Sequence, residues 1–237
     1  TMDTTIQTNT KTKDSVLSTI GNTPLVRLSR IFADAPFEVY GKIEGTNPGG
    51  STKDRPALNI VRNAIKAKNI GPDTIVIESS SGNMGIGLAQ VCRYYGLRFI
   101  CVVDSRTTVQ HIKLLKAYEA LVEVVSDGHG LPGGLLEARI ERVRELCEQH
   151  PNSYWVNQYV NPDNFRAHFN LTIREILSAL DHQVDYIFCP TSTCGILRGC
   201  AEYIKAKELD TQIVAVDAEG SAIFAPPVGN RLIPGHG

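Results

Sequence analysis

A glycine-rich polar segment that carries one lysine is the part of this sequence best suited to chemistry. It runs from Asn47 to Arg55 with the sequence Asn-Pro-Gly-Gly-Ser-Thr-Lys-Asp-Arg, and Lys53 immediately precedes a predicted helix. A charged ammonium at a helix N-terminus faces the positive end of the helix dipole, which is unfavourable. A lysine with a lowered pKa is also a residue that forms Schiff bases with carbonyl groups. Because most lysines in polar loops are solvated surface charges, a chemical role for Lys53 requires partners elsewhere in the chain.

Two further polar loops could supply those partners. Glu78 to Asn83 follows a β-branched segment, and Pro190 to Gly195 follows an apolar one. The small residues of the second loop precede a predicted helix, so their N–H groups and hydroxyls could converge on a phosphate. An ordinary hydroxyl-rich helix cap is the alternative for that loop. Together, the lysine and the two loops indicate a phosphorylated carbonyl cofactor held as a Schiff base, for which pyridoxal phosphate is the natural candidate.

Other catalytic patterns find little support in the sequence. The segment from Gly49 to Lys53 is not a nucleotide P-loop, because its hydroxyl residues precede the lysine instead of following it. The sequence contains no nucleophile elbow, and its six histidines lack the spacing of known metal sites. His111 and His168 fall in predicted helices and are interpreted as surface or boundary residues. No metal ligand is therefore assigned.

The composition is that of an ordinary globular protein. Its 237 residues are 42% hydrophobic and 21% charged, and 24 basic and 25 acidic residues give a net charge of -1. No basic field is available to hold nucleic acid or an anionic membrane. No apolar run approaches the roughly 20 residues of a membrane span. The six cysteines form no CxxC pair, which indicates a reducing, cytoplasmic location.

Predicted strands and helices alternate along the chain. The strands lie at 39–43, 74–77, 99–103, 121–125, 154–158, 184–189 and 212–217, and the helices at 54–69, 84–95, 109–118, 135–149, 164–180 and 196–207. This alternation predicts parallel sheets with right-handed crossovers, which is the α/β class. Ligands of such folds bind at the carboxyl ends of strands, where the lysine loop and both other polar loops are expected.

Three motifs resemble the cysteine synthase family, also called the fold type II pyridoxal-phosphate enzymes. They are the segment from Asn47 to Arg55, Ser-Ser-Gly-Asn-Met-Gly at 80–85, and Asn-Gln-Tyr-x-Asn-Pro at 157–162. The resemblance is nearly continuous from Ile20 to Gly237. It implies two domains whose twisted, largely parallel sheets are flanked by helices, as in the tryptophan synthase β subunit. It also implies small amino-acid substrates and a homodimer.

The resemblance further implies a domain division and roles for individual residues. Residues 1–35 would pack on the C-terminal domain, 36–150 would form the N-terminal domain, and 151–237 would form the C-terminal domain. Lys53 would carry the cofactor as a Schiff base, and Asn83 would bond the hydroxyl of the cofactor ring. The loop that holds the cofactor phosphate would consist of Ser192, Thr193, Cys194, Gly195 and Ile196. The substrate would be bound by Ser80, Ser81 and Gln158 at its α-carboxylate, with Gly82 and Tyr154 also in the substrate site.

The departures from an ordinary cysteine synthase are informative. Residues 192–196 are Ser-Thr-Cys-Gly-Ile where that family usually has Gly-Thr-Gly-Gly-Thr, and Met84 stands where threonine is common. With the segments 154–159 and 215–224, these changes are similar to a branch of the family in siderophore pathways. That branch joins O-phospho-L-serine to L-glutamate and gives N-(2-amino-2-carboxyethyl)-L-glutamate, a 2,3-diaminopropionate precursor. The alternatives are cysteine synthesis, from O-acetyl- or O-phosphoserine and sulfide, and a non-catalytic shortened relative.

A dicarboxylate nucleophile would need a cation in the substrate site. Arg139, on the predicted helix 135–149, is the candidate. Its alternative is a place on a solvated helix face among Glu137, Glu141 and Arg142. The resemblance also implies further strands beyond Gly237 and a partner there for the pyridine nitrogen, so the C-terminal domain is expected to be incomplete in this sequence.

Overall fold

The structure is a computed structural model that describes residues 12–126, 134–221 and 223–224. Its strands are β1 (Leu25–Arg27), β2 (Tyr40–Lys42), β3 (Ile75–Ser79), β4 (Arg98–Asp104), β5 (Leu121–Val125), β6 (Ser153–Trp155), β7 (Tyr186–Pro190) and β8 (Gln212–Val216). Its α-helices are α1 (Asp54–Lys66), α2 (Asn83–Tyr94), α3 (Val109–Ala117), α4 (Gly134–Gln149), α5 (Pro162–Ala167), α6 (Ile173–Ala179) and α7 (Gly195–Ala206). Short 3-10 turns cover Val16–Thr19 and Glu44–Thr46.

A parallel four-stranded sheet in the order β5-β4-β3-β6 forms the first layer. β3 is buried along its whole length because both of its neighbours pair with it and helices cover both of its faces. β6 pairs with β3 at this sheet's edge, with Ser153 opposite Ile75. The first sheet therefore extends past the division that was expected at residue 151.

Apolar side chains on the two faces of this sheet form two separate cores. One core lies between the sheet and α1 and α2 and contains Ile60, Val61, Leu88 and Val91. The other lies beneath α4, where Val143 and Leu146 pack against the apolar side chains of β3 and β4 that face this helix. Helices on both faces are the arrangement that a buried parallel sheet requires, and they confirm the predicted α/β class.

A second, parallel sheet consists of β7 and β8. Ile187 and Cys189 face α7 and the helices before it, where they form a third core with Cys200 and Ile204. Strand residues alternate in direction, so Tyr186 and Phe188 lie on the opposite, exposed face of β7. β1 and β2 form a separate antiparallel pair. In the part of the chain that the structure describes, no helix is long and apolar enough to cross a membrane.

Three details differ from the sequence predictions. The lysine loop does not follow a strand of a parallel sheet, because β2 is antiparallel and the 3-10 turn Glu44–Thr46 intervenes. The single helix predicted at 164–180 is α5, a π-helical turn at His168–Thr172, and α6. The strand predicted at 154–158 ends at Trp155, because Asn157 has a left-handed backbone with φ 47° and breaks the ladder.

Candidate active site

Lys53 occupies the N-cap position of α1, and its amine lies against a loop 140 residues further along the chain. The Nζ atom donates a hydrogen bond to Oγ1 of Thr193 at 3.2 Å. Burial lowers the pKa of Lys53, and the nearby Cys194 thiol opposes that shift. Desolvation disfavours the charged ammonium, so the neutral amine that nucleophilic or base chemistry needs is favoured here.

The backbone around Lys53 is held by its own segment. Gly49 N–H donates to the carboxylate of Asp54, and a side chain at position 49 would overlap that carboxylate. Gly50 has φ +84°, a conformation that glycine adopts without strain. Asp54 is the first helical residue of α1, and its carboxylate closes the loop by accepting the hydrogen bond from Gly49. Burial raises the pKa of Asp54 to about 6.

The loop from Thr191 to Gly195 lies between the end of β7 and the start of α7. Thr191 anchors it, because both its N–H and its hydroxyl donate to the carbonyl of Val216, at 2.9 and 3.0 Å. Cys194 is the N-cap residue in a left-handed conformation, φ 58°, and no side-chain hydrogen bond caps the helix. The interpretation of this loop as an ordinary hydroxyl cap is therefore wrong, and the first N–H groups of α7 are available to an anion.

The remaining members of the predicted phosphate loop surround this helix start. Ser192 is exposed, Thr193 is half-buried beside Lys53, and Gly195 is buried as the first residue of α7. Ile196 packs against the core between α7 and β7. The structure thus brings the predicted phosphate loop and the predicted Schiff-base lysine together.

The serine loop, residues 79–83, ends at a second helix N-terminus. Ser80 Oγ accepts a hydrogen bond from Gly85 N–H at 3.0 Å, which fixes the turn into α2. Gly82 is the N-cap residue and provides no side-chain cap. Asn83 begins α2 and is exposed. Like α7, α2 therefore presents backbone N–H groups that could bind a carboxylate or phosphate.

Gln158 connects the serine loop with the loop after β6. Its buried side chain donates from Nε2 to the carbonyl of Ser79 at 3.2 Å, and its backbone N–H donates to Glu78 Oε2 at 3.0 Å.

Tyr154 accepts a hydrogen bond from Asn161 Nδ2 at 3.3 Å and packs against the core beneath α1 and α2. A substrate contact by Tyr154 stays a prediction.

Arg139 projects from α4 toward the serine loop. Its Nη1 donates to Ser81 Oγ at 3.0 Å, and its Nε lies 3.3 Å from Asp104 Oδ2 without hydrogen-bond geometry. Only 9% of the residue is exposed, so the alternative of a solvated helix face is wrong. The charge of Arg139 is paired with Asp104 within this chain, and its remaining N–H groups could donate to a further carboxylate.

Two functional candidates were missed by sequence reasoning. Glu78 is buried and accepts hydrogen bonds from the N–H groups of Ser79 and Gln158. Burial raises the pKa of Glu78 to about 7, because its effect outweighs these hydrogen bonds and the Arg139 charge, which both lower the pKa. His168, interpreted from sequence as a surface or boundary residue, is 1% exposed. Burial, then the charges of Lys53 and Arg55, lower its pKa to about 3. A polar residue at the end of a buried strand was the available signal for Glu78.

The chemistry of these groups fits pyridoxal phosphate. The amine of Lys53 can bond the cofactor carbonyl carbon, and the uncapped start of α7 can hold the phosphate. Asn83 is exposed at the start of α2, where its amide could bond the ring hydroxyl. Across residues 12–126, 134–221 and 223–224, no group of three or more His, Cys, Asp or Glu side chains could hold a metal ion.

Comparison with known proteins gives a consistent result. A family model described as pyridoxal-phosphate dependent enzyme matches residues 16–234. Two curated relatives are named N-(2-amino-2-carboxyethyl)-L-glutamate synthase, one from Ralstonia nicotianae and one from Cupriavidus metallidurans. They are 43% and 42% identical to this chain over 94% of its length. The chain spans only 66% and 65% of those two relatives.

Solved structures with the same fold include enzymes that act on serine derivatives. A hydrogen sulfide-producing enzyme from Fusobacterium nucleatum has a TM-score of 0.87 and 35% identity, over 95% of this chain and 74% of that chain. The O-acetylserine dependent cystathionine beta-synthase from Helicobacter pylori has a TM-score of 0.86 and 29% identity, over 96% of this chain and 73% of that chain. An O-ureido-L-serine synthase has a TM-score of 0.79 and 34% identity, over 90% and 66%.

Proposed function

Because this chain belongs to the family of pyridoxal-phosphate dependent enzymes, we propose that it catalyses a β-replacement on O-phospho-L-serine. The amine of L-glutamate is the nucleophile, phosphate leaves, and the product is N-(2-amino-2-carboxyethyl)-L-glutamate. One observation carries the proposal: the Lys53 amine, with its lowered pKa, lies against Thr193 at the uncapped start of α7. The 42–43% identity to two synthases of that product supports the choice of substrates.

The residues that would hold the cofactor come from both sheets. Lys53 would bond the carbonyl carbon of the cofactor, Asn83 would bond its ring hydroxyl, and the loop from Ser192 to Ile196 would hold its phosphate. When bound, the cofactor supplies an electron sink for the α-carbon of the amino acid. Every other part of the chemistry is assigned to side chains of this chain.

Lys53 is the general base in this proposal. Its neutral amine would take the α-proton of the substrate and later return a proton to the same carbon. A lysine is effective in this role when its pKa is below its ordinary value of about 10.4, and burial moves the pKa of Lys53 in that direction. The hydroxyl of Thr193 accepts a hydrogen bond from the amine and so limits where it points.

The substrate α-carboxylate is assigned to the start of α2. Ser80, Ser81 and Gly82 surround this helix N-terminus, where the N–H groups before Gly85 and the helix dipole favour an anion. Gln158 uses one amide hydrogen on the Ser79 carbonyl and has a second to offer the substrate.

Recognition of glutamate is assigned to Arg139. Its guanidinium is buried beside Ser81, forms an ion pair with Asp104 through Nε, and has further N–H groups on Nη1 and Nη2. A side-chain carboxylate of the nucleophile would pair with this group, which sulfide cannot do.

The activity test uses the full-length protein loaded with pyridoxal phosphate. O-phospho-L-serine and L-glutamate should give N-(2-amino-2-carboxyethyl)-L-glutamate, measured by mass spectrometry, with an equal amount of phosphate. Replacing Lys53 with alanine removes the base, so we expect product formation to fall by about 10²- to 10⁴-fold. Lys66→Ala, an exposed position in the last turn of the same helix, is the matched control and should retain activity.

The same test separates the alternatives. The cysteine-synthesis alternative draws support from the likeness to a hydrogen sulfide-producing enzyme. If O-acetylserine replaces O-phosphoserine or sulfide alone is consumed, the substrate assignment is wrong while the β-replacement stands. A full-length protein that takes up no cofactor would instead be a non-catalytic relative.

A further inference from the structure

Asn164 joins three parts of the candidate site. This residue lies on α5 and is 4% exposed. Its Nδ2 donates to the carbonyl of Gln158 at 2.8 Å and to Oγ1 of Thr193 at 3.3 Å. Thr193 Oγ1 in turn accepts the hydrogen bond from Lys53. One amide group therefore connects the loop after β6, the loop before α7 and the lysine.

The two hydrogen bonds that Thr193 accepts determine what its hydroxyl can still do. A threonine hydroxyl has two acceptor lone pairs and one O–H donor. Asn164 and Lys53 both donate to it, so its remaining capacity is the O–H donor. That donor belongs to the loop at the uncapped start of α7, where an anion is expected. The amide of Asn164 thus fixes Thr193 as a donor toward that anion.

The contact between Asn164 and α7 has a structural cost. A side chain at Gly195 would overlap the amide of Asn164, so only glycine allows α7 to begin this close. In the described part of the chain the Oδ1 atom of Asn164 is buried and has no hydrogen-bond partner. A buried unpaired carbonyl oxygen costs stability, and such groups in native proteins require an explanation. Stability alone does not explain this placement, whereas positioning of Thr193 does.

We propose that Asn164 is a positioning residue for the phosphate-binding loop and for Lys53. It holds the Thr193 side chain so that the hydroxyl can donate to the cofactor phosphate and a lone pair can receive the lysine amine whenever that amine is not bonded to the cofactor. This inference rests on the proposed function, because it concerns the same cofactor site. It predicts that loss of Asn164 weakens recognition of the phosphate and leaves the rest of the cofactor largely unaffected.

The experiment compares two ligands of the cofactor-free full-length protein, pyridoxal phosphate and pyridoxal, which lacks the phosphate. Asn164→Ala should weaken binding of pyridoxal phosphate about tenfold, since tenfold corresponds to about 1.4 kcal/mol and a hydrogen bond to a charged group contributes about that much. Binding of pyridoxal should change less than about twofold. Equilibrium dialysis measures both dissociation constants. Asn164→Ser, which retains a hydroxyl donor, should give an intermediate value.

Two further variants show whether Asn164 acts through Thr193. Thr193→Val removes the hydroxyl at similar volume, and its effect on pyridoxal phosphate binding should be non-additive with that of Asn164→Ala. Asn59→Ala is the matched control. Asn59 Nδ2 also donates to a backbone carbonyl of this region, that of Asp163 at 2.8 Å. Its loss should leave both dissociation constants unchanged.

Four outcomes would contradict the positioning role of Asn164. Equal weakening of both ligands by Asn164→Ala, additive effects with Thr193→Val, or an unchanged preference for the phosphate would overturn the positioning role. A similar loss of phosphate preference in Asn59→Ala would do so too. If the wild-type protein binds neither compound, the proposed function fails and this inference fails with it. If it binds pyridoxal phosphate and the Asn164 variants bind it equally well, only the inference is wrong.

Discussion

Burial shifts three titratable side chains near the lysine segment toward their neutral forms. It raises the pKa of Asp54 to about 6 and that of Glu78 to about 7, and it lowers the pKa of Lys53. Each shift follows from the cost of keeping a charge away from water. A neutral amine, and carboxyls that titrate close to physiological pH, are what proton-transfer chemistry uses.

Glu78 should make the stability of the protein depend on pH. Its pKa moves from 4.5 to about 7 on folding, so the folded state binds more protons between these values. The contribution of Glu78 to the free energy of unfolding then falls as pH rises through this window, by at most about 1.4 kcal/mol per pH unit. His168, whose pKa is lowered on folding, acts in the opposite direction below about pH 6.5. We expect Glu78→Gln to remove this slope in denaturant titrations between pH 5 and 8. Glu145→Gln, at an exposed position, is the control, and equal slopes in wild type and Glu78→Gln would contradict the prediction.

At the scale of elements, the site depends on how α7 packs. Its first turn forms part of the predicted phosphate loop, and its middle packs against α5 and the π-helical turn. Arg198 of α7 lies over the ring of Phe165 at 3.8 Å. A π-helical turn is common at functional sites, and here it carries the buried His168, whose Nδ1 is 2.9 Å from Thr172 Oγ1. The position of the phosphate loop therefore depends on this helix contact.

Gly199 is the residue that permits this contact. A side chain there would overlap the carbonyl of Phe165 and approach Cβ of His168 at 2.8 Å and N of Phe169 at 2.9 Å. Since two of these atoms are backbone, they cannot move aside cheaply. We expect Gly199→Ala to lower the free energy of unfolding by about 1–3 kcal/mol, measured by urea denaturation. At Gly71 a side chain would contact nothing, so a loss of similar size in Gly71→Ala would contradict this explanation.

At the scale of the whole molecule, a buried ion cluster connects distant parts of the chain. Arg55 donates to both Glu44 and Glu175, and Lys42 also pairs with Glu175 at 2.7 Å. The side chain of Arg55 is 0% exposed. Burial acts to raise the pKa of Glu175, but hydrogen bonds from Arg55 and Lys42 outweigh it and lower that pKa to about 2. The cluster links α1 with α6, because Arg55 lies in the first turn of α1, two residues after Lys53, and Glu175 lies in α6.

Loss of Arg55 should therefore be severe. Arg55→Met would leave Glu44 without its cation and Glu175 with Lys42 alone, and breaking a buried pair in this way costs about 3–5 kcal/mol. The double variant that adds Glu44→Gln should recover part of that loss, because Glu44 is then no longer an unpaired carboxylate and Glu175 keeps Lys42. Chemical denaturation measures both. Arg142→Met, which removes partly exposed pairs, should cost no more than about 1 kcal/mol; equal losses in Arg55→Met and Arg142→Met would be inconsistent with this account.

The sequence alone determined most of the order of elements and predicted where the chemistry would lie. Short β-branched runs and apolar residues at helical spacing are local signals, so the strand predicted at 121–125 has the bounds Leu121–Val125 in the structure. The lysine loop, the serine loop and the predicted phosphate loop were identified in the same way, because glycine, serine and threonine at the start of a helix are a local sequence signal. The roles predicted for individual site residues stay predictions.

The tertiary structure decided which residues share an environment. Lys53 and Thr193 are 140 positions apart, and Arg55 and Glu175 are 120 apart, so no local pattern predicts either contact. The same holds for Asn164, whose importance depends on two loops that meet only in the fold, and for Arg139, whose helix has charged residues that resemble a solvated surface. Burial and long-range hydrogen bonding arise from packing between elements, and these determine the pKa of Glu78 and the position of the Lys53 amine.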